Sequence, residues 1–73
     1  MKSAKISFGR RLRQLRRERD FTQEQLAEVA EVSVDLVSNI ERGVNAPSFE
    51  TLERLASALS VPIKDLFDFH NAD

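Results

Sequence analysis

The side chains of this chain that could take part in recognition chemistry are mainly basic. Eight of the eleven Lys and Arg residues lie within residues 1–19, beside a single acidic residue, Glu18. Residues 20–73 carry eleven acidic residues and three basic ones, so the net charge of −1 conceals a strongly dipolar molecule. A basic segment of this kind is typical of a surface that meets an anionic partner. A solvated helix face has the same composition, so charge alone leaves both interpretations open.

The sequence contains few residues that could support catalysis or bind a metal ion. The chain has no Cys and a single His, His70, which excludes disulfides, thiolate metal sites and cysteine nucleophiles. No acid, base and nucleophile are grouped, and no cofactor motif is found. We therefore expect no enzyme activity, no cofactor and no small-molecule substrate. Without a long apolar run or a signal-peptide pattern, a cytoplasmic protein that does not enter membranes is expected.

Helices must position the recognition residues, because apolar residues recur at helical spacing and no stretch alternates long enough for a strand. A length of 73 residues predicts one domain, 1–73, with a structured core at about 6–69 and short tails. The predicted fold is all-α, a compact five-helix bundle. Helices are expected from about Ser7 to Arg19, from Gln23 to about Ala30, from Ser33 to near Arg42, from Ser48 along the apolar stripe to Leu59, and, as a short fifth helix, after Pro62.

Residues 23–42 form two short helices joined by a tight turn, which is the pattern of a helix-turn-helix. Ala27 is small where the two helices must approach, and Val32, Val37 and Ile40 are apolar where the second helix must pack against the domain. Ordinary helical packing would produce the same pattern. Five residues of the second helix are expected to face outward: Val34, Asp35, Leu36, Ser38 and Asn39.

Three longer motifs narrow this choice. The segments TQEQLAEVAEVSVDLVSNIERG, PSFETLERLASAL and VPIKDLF resemble the lambda-repressor-like helix-turn-helix family, of the Cro/cI or XRE type. The resemblance covers roughly residues 6–69, nearly the whole chain. It implies a five-helix domain that binds double-stranded operator DNA, usually as a dimer. The second helix of the helix-turn-helix is then the one that enters the major groove, and the DNA-bound protein would be located with the nucleoid.

The resemblance also implies roles for individual residues. Val34, Asp35, Ser38 and Asn39 match positions that read base edges, with Leu36 beside them. An Asn amide can pair with adenine through two hydrogen bonds, and apolar side chains can meet thymine methyl groups. The expected phosphate contacts are Gln23, Ser33, Arg42, Asn45, Arg10 and Arg13. Arg16 and Glu41 match a pair that the family uses internally, as a structural ion pair.

The sequence departs from the family pattern in two respects. Asp20, Glu31 and Ser60 stand where glycines are common at helix ends, and a positive φ would cost a non-glycine residue about 1 kcal/mol there. The recognition helix has no Arg or Lys between Val32 and Glu41. The frequent contact from Arg to guanine is therefore missing from it, and phosphate contacts are expected to supply most of the affinity.

An apolar cluster near the C-terminus has two possible uses. Ile63, Leu66, Phe67 and Phe69 could close the small core, or they could form a two-fold dimer interface. The predicted function is a homodimeric transcriptional regulator of a palindromic operator, similar in size to phage Cro-type repressors and restriction–modification controller proteins. The alternative is a protein-interaction module, such as an antitoxin that binds a toxin partner through Val34, Leu36 or the C-terminal cluster.

Overall fold

The structure is a computed structural model that describes residues 3–70. Within that range it is all-helical and contains no strand, which confirms the predicted fold class. The fifth element differs from the prediction, since it is a 3₁₀ helix rather than an α-helix; its N–H groups bond three residues back, from Asp65 to Pro62 and from Asp68 to Asp65. The elements are α1 (Ala4–Glu18), α2 (Gln23–Ala30), α3 (Val34–Glu41), α4 (Phe49–Leu59) and the C-terminal 3₁₀ helix (Ile63–Phe67).

Local side-chain caps set the starts of three helices. Thr22 Oγ1 accepts from the Gln25 N–H at 3.0 Å, and Gln25 Oε1 accepts from the Thr22 N–H at 2.8 Å, which completes the predicted capping box. Ser33 and Ser48 accept likewise from backbone N–H groups three residues on. Ser7 was expected near the start of α1 but lies buried within it, because the helix begins one turn earlier, at Ala4.

Three helix ends adopt the left-handed conformation although none of the three residues is a glycine. Asp20, Glu31 and Ser60 have φ values of 58°, 59° and 57°. Gly43, which follows α3, has a φ of 76°. Non-glycine residues are therefore held in a conformation that disfavours a Cβ atom at three of these helix ends.

All four α-helices and the 3₁₀ helix contribute side chains to the core. α3 packs against α1 and α2, α4 packs against α2, and the 3₁₀ helix packs against α1 and α4. Leu66 of the 3₁₀ helix is completely buried in the core. Leu66 is therefore a core residue and has no surface to offer a dimer interface, contrary to the prediction. Ile63 and Phe67 are partly exposed, and Phe69 packs against the core. The other fully buried side chains are Leu12, Leu26, Val37, Ile40, Leu55 and Leu59.

The contact between α1 and α3 requires a glycine. A Cβ atom built on Gly9 would lie 2.4 Å from the Ile40 carbonyl oxygen and 2.7 Å from that of Glu41. Both obstacles are backbone atoms and cannot move aside as a flexible side chain would. Gly9 thus lets α1 approach the C-terminal end of α3 closely, and this approach sets the position of α3 in the domain.

The left-handed helix ends predict opposite effects for one substitution at two neighbouring sites. Glu31→Gly should raise the free energy of unfolding by about 1 kcal/mol, because Gly adopts a positive φ without strain. Glu28→Gly, inside α2, should lower it by about 1 kcal/mol, because Gly disfavours a helix interior. Urea unfolding followed by circular dichroism measures both. Shifts of the same sign would contradict the assignment of strain to Glu31.

Candidate nucleic-acid interface

α3 presents part of its length to solvent. Val34 is 38% exposed and Asp35 is exposed, whereas Asn39 is half-buried. Leu36 does not face outward as predicted: it is half-buried and packs against the core. The reason is that it lies one helical turn before the buried Ile40, on the same face. The outward face of α3 is therefore narrower than the sequence indicates.

Asn39 lies at the junction of α3 and the loop that follows. Its side-chain Oδ1 accepts from Arg42 Nη1 at 3.4 Å. Its carbonyl oxygen accepts from the Val44 N–H at 2.9 Å and the Asn45 N–H at 3.3 Å. The predicted base reader and the two predicted phosphate contacts of this loop, Arg42 and Asn45, are thereby brought together at one end of α3.

A buried carboxylate connects the elements around this surface. The predicted ion pair is present: Arg16 Nε donates to Glu41 Oε2 at 2.7 Å, and Arg16 Nη2 donates to Glu41 Oε1 at 3.1 Å. The side chains of Arg16 and Glu41 are only 11% and 3% exposed. Arg16 Nη1 also donates to the Phe21 carbonyl oxygen at 2.7 Å. One guanidinium thus links α1, the segment before α2 and the end of α3.

Gln23 joins this network, which the sequence analysis missed. Its Nε2 donates to Glu41 Oε1 at 3.1 Å, so the first side chain of α2 is fixed in place. An amide nitrogen has two N–H donors, and the contact with Glu41 uses one of them. The second can still reach an anion placed near the start of α2, where free backbone N–H groups and the helix dipole also favour negative charge.

The network forms one wall of a polar cleft of about 250 Å³. Ser38 lines this cleft and is half-buried; it lies one helical turn before Arg42, whose N–H donates to the Ser38 carbonyl oxygen. The structure thus places Ser38, which is predicted to read a base edge, in the lining of the same cleft as Gln23. The lining residues are Arg13, Arg16, Gln23, Ser38, Glu41 and Arg42.

The basic residues of α1 divide into two groups. Arg10, Arg13 and Arg17 line an open depression on the exposed side of the helix, and Arg13 also lines the polar cleft. By contrast, Arg11 Nε donates to the Asp65 carbonyl oxygen at 2.8 Å and holds the 3₁₀ helix against α1. The basic segment therefore includes structural arginines as well as a cationic surface that continues into the cleft.

The comparison with known families identifies the fold that this geometry belongs to. A family described as a helix-turn-helix domain matches residues 7–68. This chain belongs to that helix-turn-helix family. The resemblance to helix-turn-helix regulators is thereby confirmed, and α2 and α3 are the two helices of the motif.

Relatives of the chain include both short and longer regulators. It is 36% identical to control protein C.BamHI from Bacillus amyloliquefaciens, over 89% of this chain and 82% of the relative. It is 43% identical to the HTH-type transcriptional regulator DdrOP3 from Deinococcus deserti, over 80% of this chain and 45% of the relative. The immunity repressor protein of Bacillus phage phi105 is 41% identical over 80% of this chain, which spans 40% of that repressor.

Solved structures give the same result for the fold. The restriction–modification controller protein C.AhdI from Aeromonas hydrophila superimposes with a TM-score of 0.85 at 35% identity, over 86% of this chain and 96% of that chain. The clp gene regulator ClgR from Corynebacterium glutamicum gives a TM-score of 0.87 at 29% identity, over 93% and 72% of the two chains. Within residues 3–70, no helix is long and apolar enough to cross a membrane.

The buried network predicts a large loss of stability when one partner is removed. Arg16→Met leaves the Glu41 carboxylate in the interior without its cation, and should lower the free energy of unfolding by about 3–5 kcal/mol. Arg17→Met, the same change at the exposed neighbouring position, should alter it by less than about 0.5 kcal/mol. Urea unfolding compares the two variants, and equal midpoints would refute the structural role of Arg16.

Proposed function

We propose that this chain is a sequence-specific DNA-binding transcriptional regulator that inserts α3 into the major groove of a palindromic operator as a homodimer. The observation that carries this proposal is the polar cleft at the start of α2, directly beside the exposed face of α3. A phosphate group held in the cleft would place α3 against the edges of the adjacent base pairs. Phosphate contacts of this type fix the register of a protein on the duplex.

The cleft supplies donors of several kinds to one phosphate. The second N–H of Gln23 and the guanidinium groups of Arg13 and Arg42 converge on it, together with the N-terminal end of α2. Because Glu41 is already paired with Arg16, its negative charge is largely compensated within the wall of the cleft. Ser33, Asn45 and Arg10 are also exposed, and in this proposal they extend the backbone contacts along the strand.

The exposed part of α3 would make the contacts with the base edges. Asn39 Oδ1 has two lone pairs, so accepting from Arg42 leaves one for the N6 amino group of adenine, while Nδ2 donates to adenine N7. Val34 is placed to meet a thymine methyl group. Asp35 approaches DNA favourably only where it accepts from a cytosine amino group. The proposed operator therefore carries an adenine opposite Asn39 in each half-site.

The homodimer would follow from the exposed apolar residues in and after the C-terminal 3₁₀ helix. Ile63 is 42% exposed and Phe67 is 48% exposed, and Phe69 packs beside Phe67 with ring centroids 6.2 Å apart. A two-fold axis through this region would present two copies of α3 about 34 Å apart, one turn of B-DNA. The relation to repressors and controller proteins supports the regulator role, as the relatives carry those names, whereas the dimer is argued from the exposed apolar residues alone.

A binding selection from random duplex DNA, at low and near-physiological salt, tests the proposal. The expected result is enrichment of a palindrome whose binding persists at the higher salt. Binding that enriches no sequence and vanishes with salt would overturn it, since a basic face alone binds in that way. That outcome would favour the alternative, a module that binds a protein partner such as a toxin.

Asn39→Ala should remove the preference at one position of each half-site. The expected loss is about 1–3 kcal/mol of discrimination between base pairs there, with other positions unchanged. Asp35→Ala provides a comparison on the same exposed face, and its effect should fall on a different base pair. Competition binding with single-substituted operators measures both. If the Asn39 variant keeps the wild-type preference at every position, Asn39 does not read a base.

Arg13→Ala should weaken binding to all sequences alike, because its contact is with the DNA backbone. The slope of log K against log salt concentration should fall by about 1. Arg54→Ala removes the same charge from α4, outside the cleft, and should leave the slope close to the wild-type value. Fluorescence anisotropy across a salt series gives both slopes. If the Arg13 variant instead loses affinity for some sequences more than for others, Arg13 contacts a base and its assignment to the phosphate backbone is wrong.

A further inference from the structure

Phe49 is the most exposed large apolar side chain among residues 3–70. It is the first residue of α4 and is 87% exposed. A single exposed apolar residue is common on protein surfaces and needs no explanation by itself. At Phe49 the exposure is nearly complete, and a second apolar feature lies beside it.

That second feature is an apolar groove of about 170 Å³ between α1, α4 and the C-terminal 3₁₀ helix. Phe67 forms one side of it, and the ring of Phe67 packs against that of Phe8 with centroids 5.2 Å apart. Pro47 and Leu52 also line the groove, and Lys5 is the charged residue of the lining.

The protruding ring and the groove are neighbours on one surface. Pro47 precedes Phe49 by two residues, and Leu52 follows it by three. Residues three apart on a helix have their Cβ atoms about 5–6 Å apart. A surface that carries a projection next to a matching recess can pair with itself about a two-fold axis, since each copy then offers both halves of the contact.

We propose that Phe49 of one copy of this chain inserts into the groove of a second copy, and that the second copy returns the same contact. This rests on the proposed function, for which it specifies the interface of the dimer. The contact is continuous with the apolar surface of Ile63 and Phe67, because Phe67 is itself a wall of the groove.

Charge at the rim favours a second copy as the occupant. Glu50 follows Phe49; its side chain is 78% exposed, and its Oε1 lies 3.7 Å from Arg54 Nη2, one turn further along the same helix. An exposed ion pair of this kind is weak, so Glu50 can also meet a cation of a second copy. Insertion of Phe49 would carry Glu50 to the edge of the partner's groove, where Lys5 lies. Two such pairs would form across the axis, and complementary rim charges of this kind select the correct partner and orientation.

Sedimentation equilibrium over a range of protein concentrations tests the contact. Phe49→Ser should weaken self-association by at least tenfold, as expected for a central aromatic anchor. Val29→Ser removes a half-exposed apolar side chain from α2, away from the groove, and should leave self-association unchanged. Circular dichroism should show that both variants stay folded, because neither side chain belongs to the core. A wild-type chain that is monomeric throughout, or a Phe49 variant that dimerises as wild type does, would overturn the proposal.

A charge exchange gives an independent test of the pairing. Lys5→Glu and Glu50→Lys should each weaken self-association, and the double variant should recover it because the opposite charges face each other again. Additive weakening in the double variant would overturn the proposed arrangement.

Binding to DNA separates this inference from the proposed function. Phe49→Ser should bind a duplex with one half-site as wild type does, and should lose at least tenfold in affinity for the full palindrome. Unchanged affinity for the full palindrome would overturn the proposed interface and leave the regulator role intact. A wild-type chain that selects no DNA sequence would overturn that role, while the sedimentation result would still decide whether Phe49 joins two copies.

Discussion

The arrangement of the recognition surface depends on one buried carboxylate. Glu41 is held by two donors of Arg16 and by the amide of Gln23, so a charge that would be costly in the interior is fully partnered. Because these three residues belong to α3, α1 and α2, the network fixes the end of the recognition helix against both of its neighbours. The hydrogen bonds to Glu41 fix the side chains that line the cleft beside α3. Gln23 uses one of its two amide N–H donors in this network, so the other is left for an anion in the cleft.

Packing supports the same junction from the other side. Gly9 brings α1 within backbone contact of Ile40 and Glu41, which places Arg16, two turns along α1, where its guanidinium reaches Glu41. A larger residue at position 9 would separate the two helices and draw the ion pair apart. The close approach of α1 and α3 and the buried ion pair thus act together. They fix the C-terminal end of α3 in the domain through residues of α1 that lie far from α3 in the sequence.

The clustering of basic residues can be interpreted only when each arginine is assigned either to a structural contact or to the exposed surface. Arg11 and Arg19 donate to the carbonyl oxygens of Asp65 and Ser60, and Arg54 donates to that of Glu31. These side chains hold turns and helix ends, whereas Arg13 lines the cleft. Composition predicts an anionic partner, yet it cannot distinguish a cation that faces DNA from one that closes a turn. A contact between residues 54 positions apart, such as Arg11 with Asp65, leaves no local pattern in the sequence.

The sequence by itself determined the features that depend on neighbouring residues. The capping box at Thr22, the caps at Ser33 and Ser48 and the left-handed helix ends are interactions across a few residues, so their chemistry can be read from spacing. The Arg16–Glu41 ion pair could be predicted only from the resemblance to a family, because its two residues are 25 positions apart. Tertiary structure decided the rest: it buried Leu66, covered part of Leu36, placed Ser38 and Gln23 in the lining of the cleft and left Phe49 in solvent. Helical periodicity shows which face is apolar, but only the packing of the other helices determines how much of that face is covered.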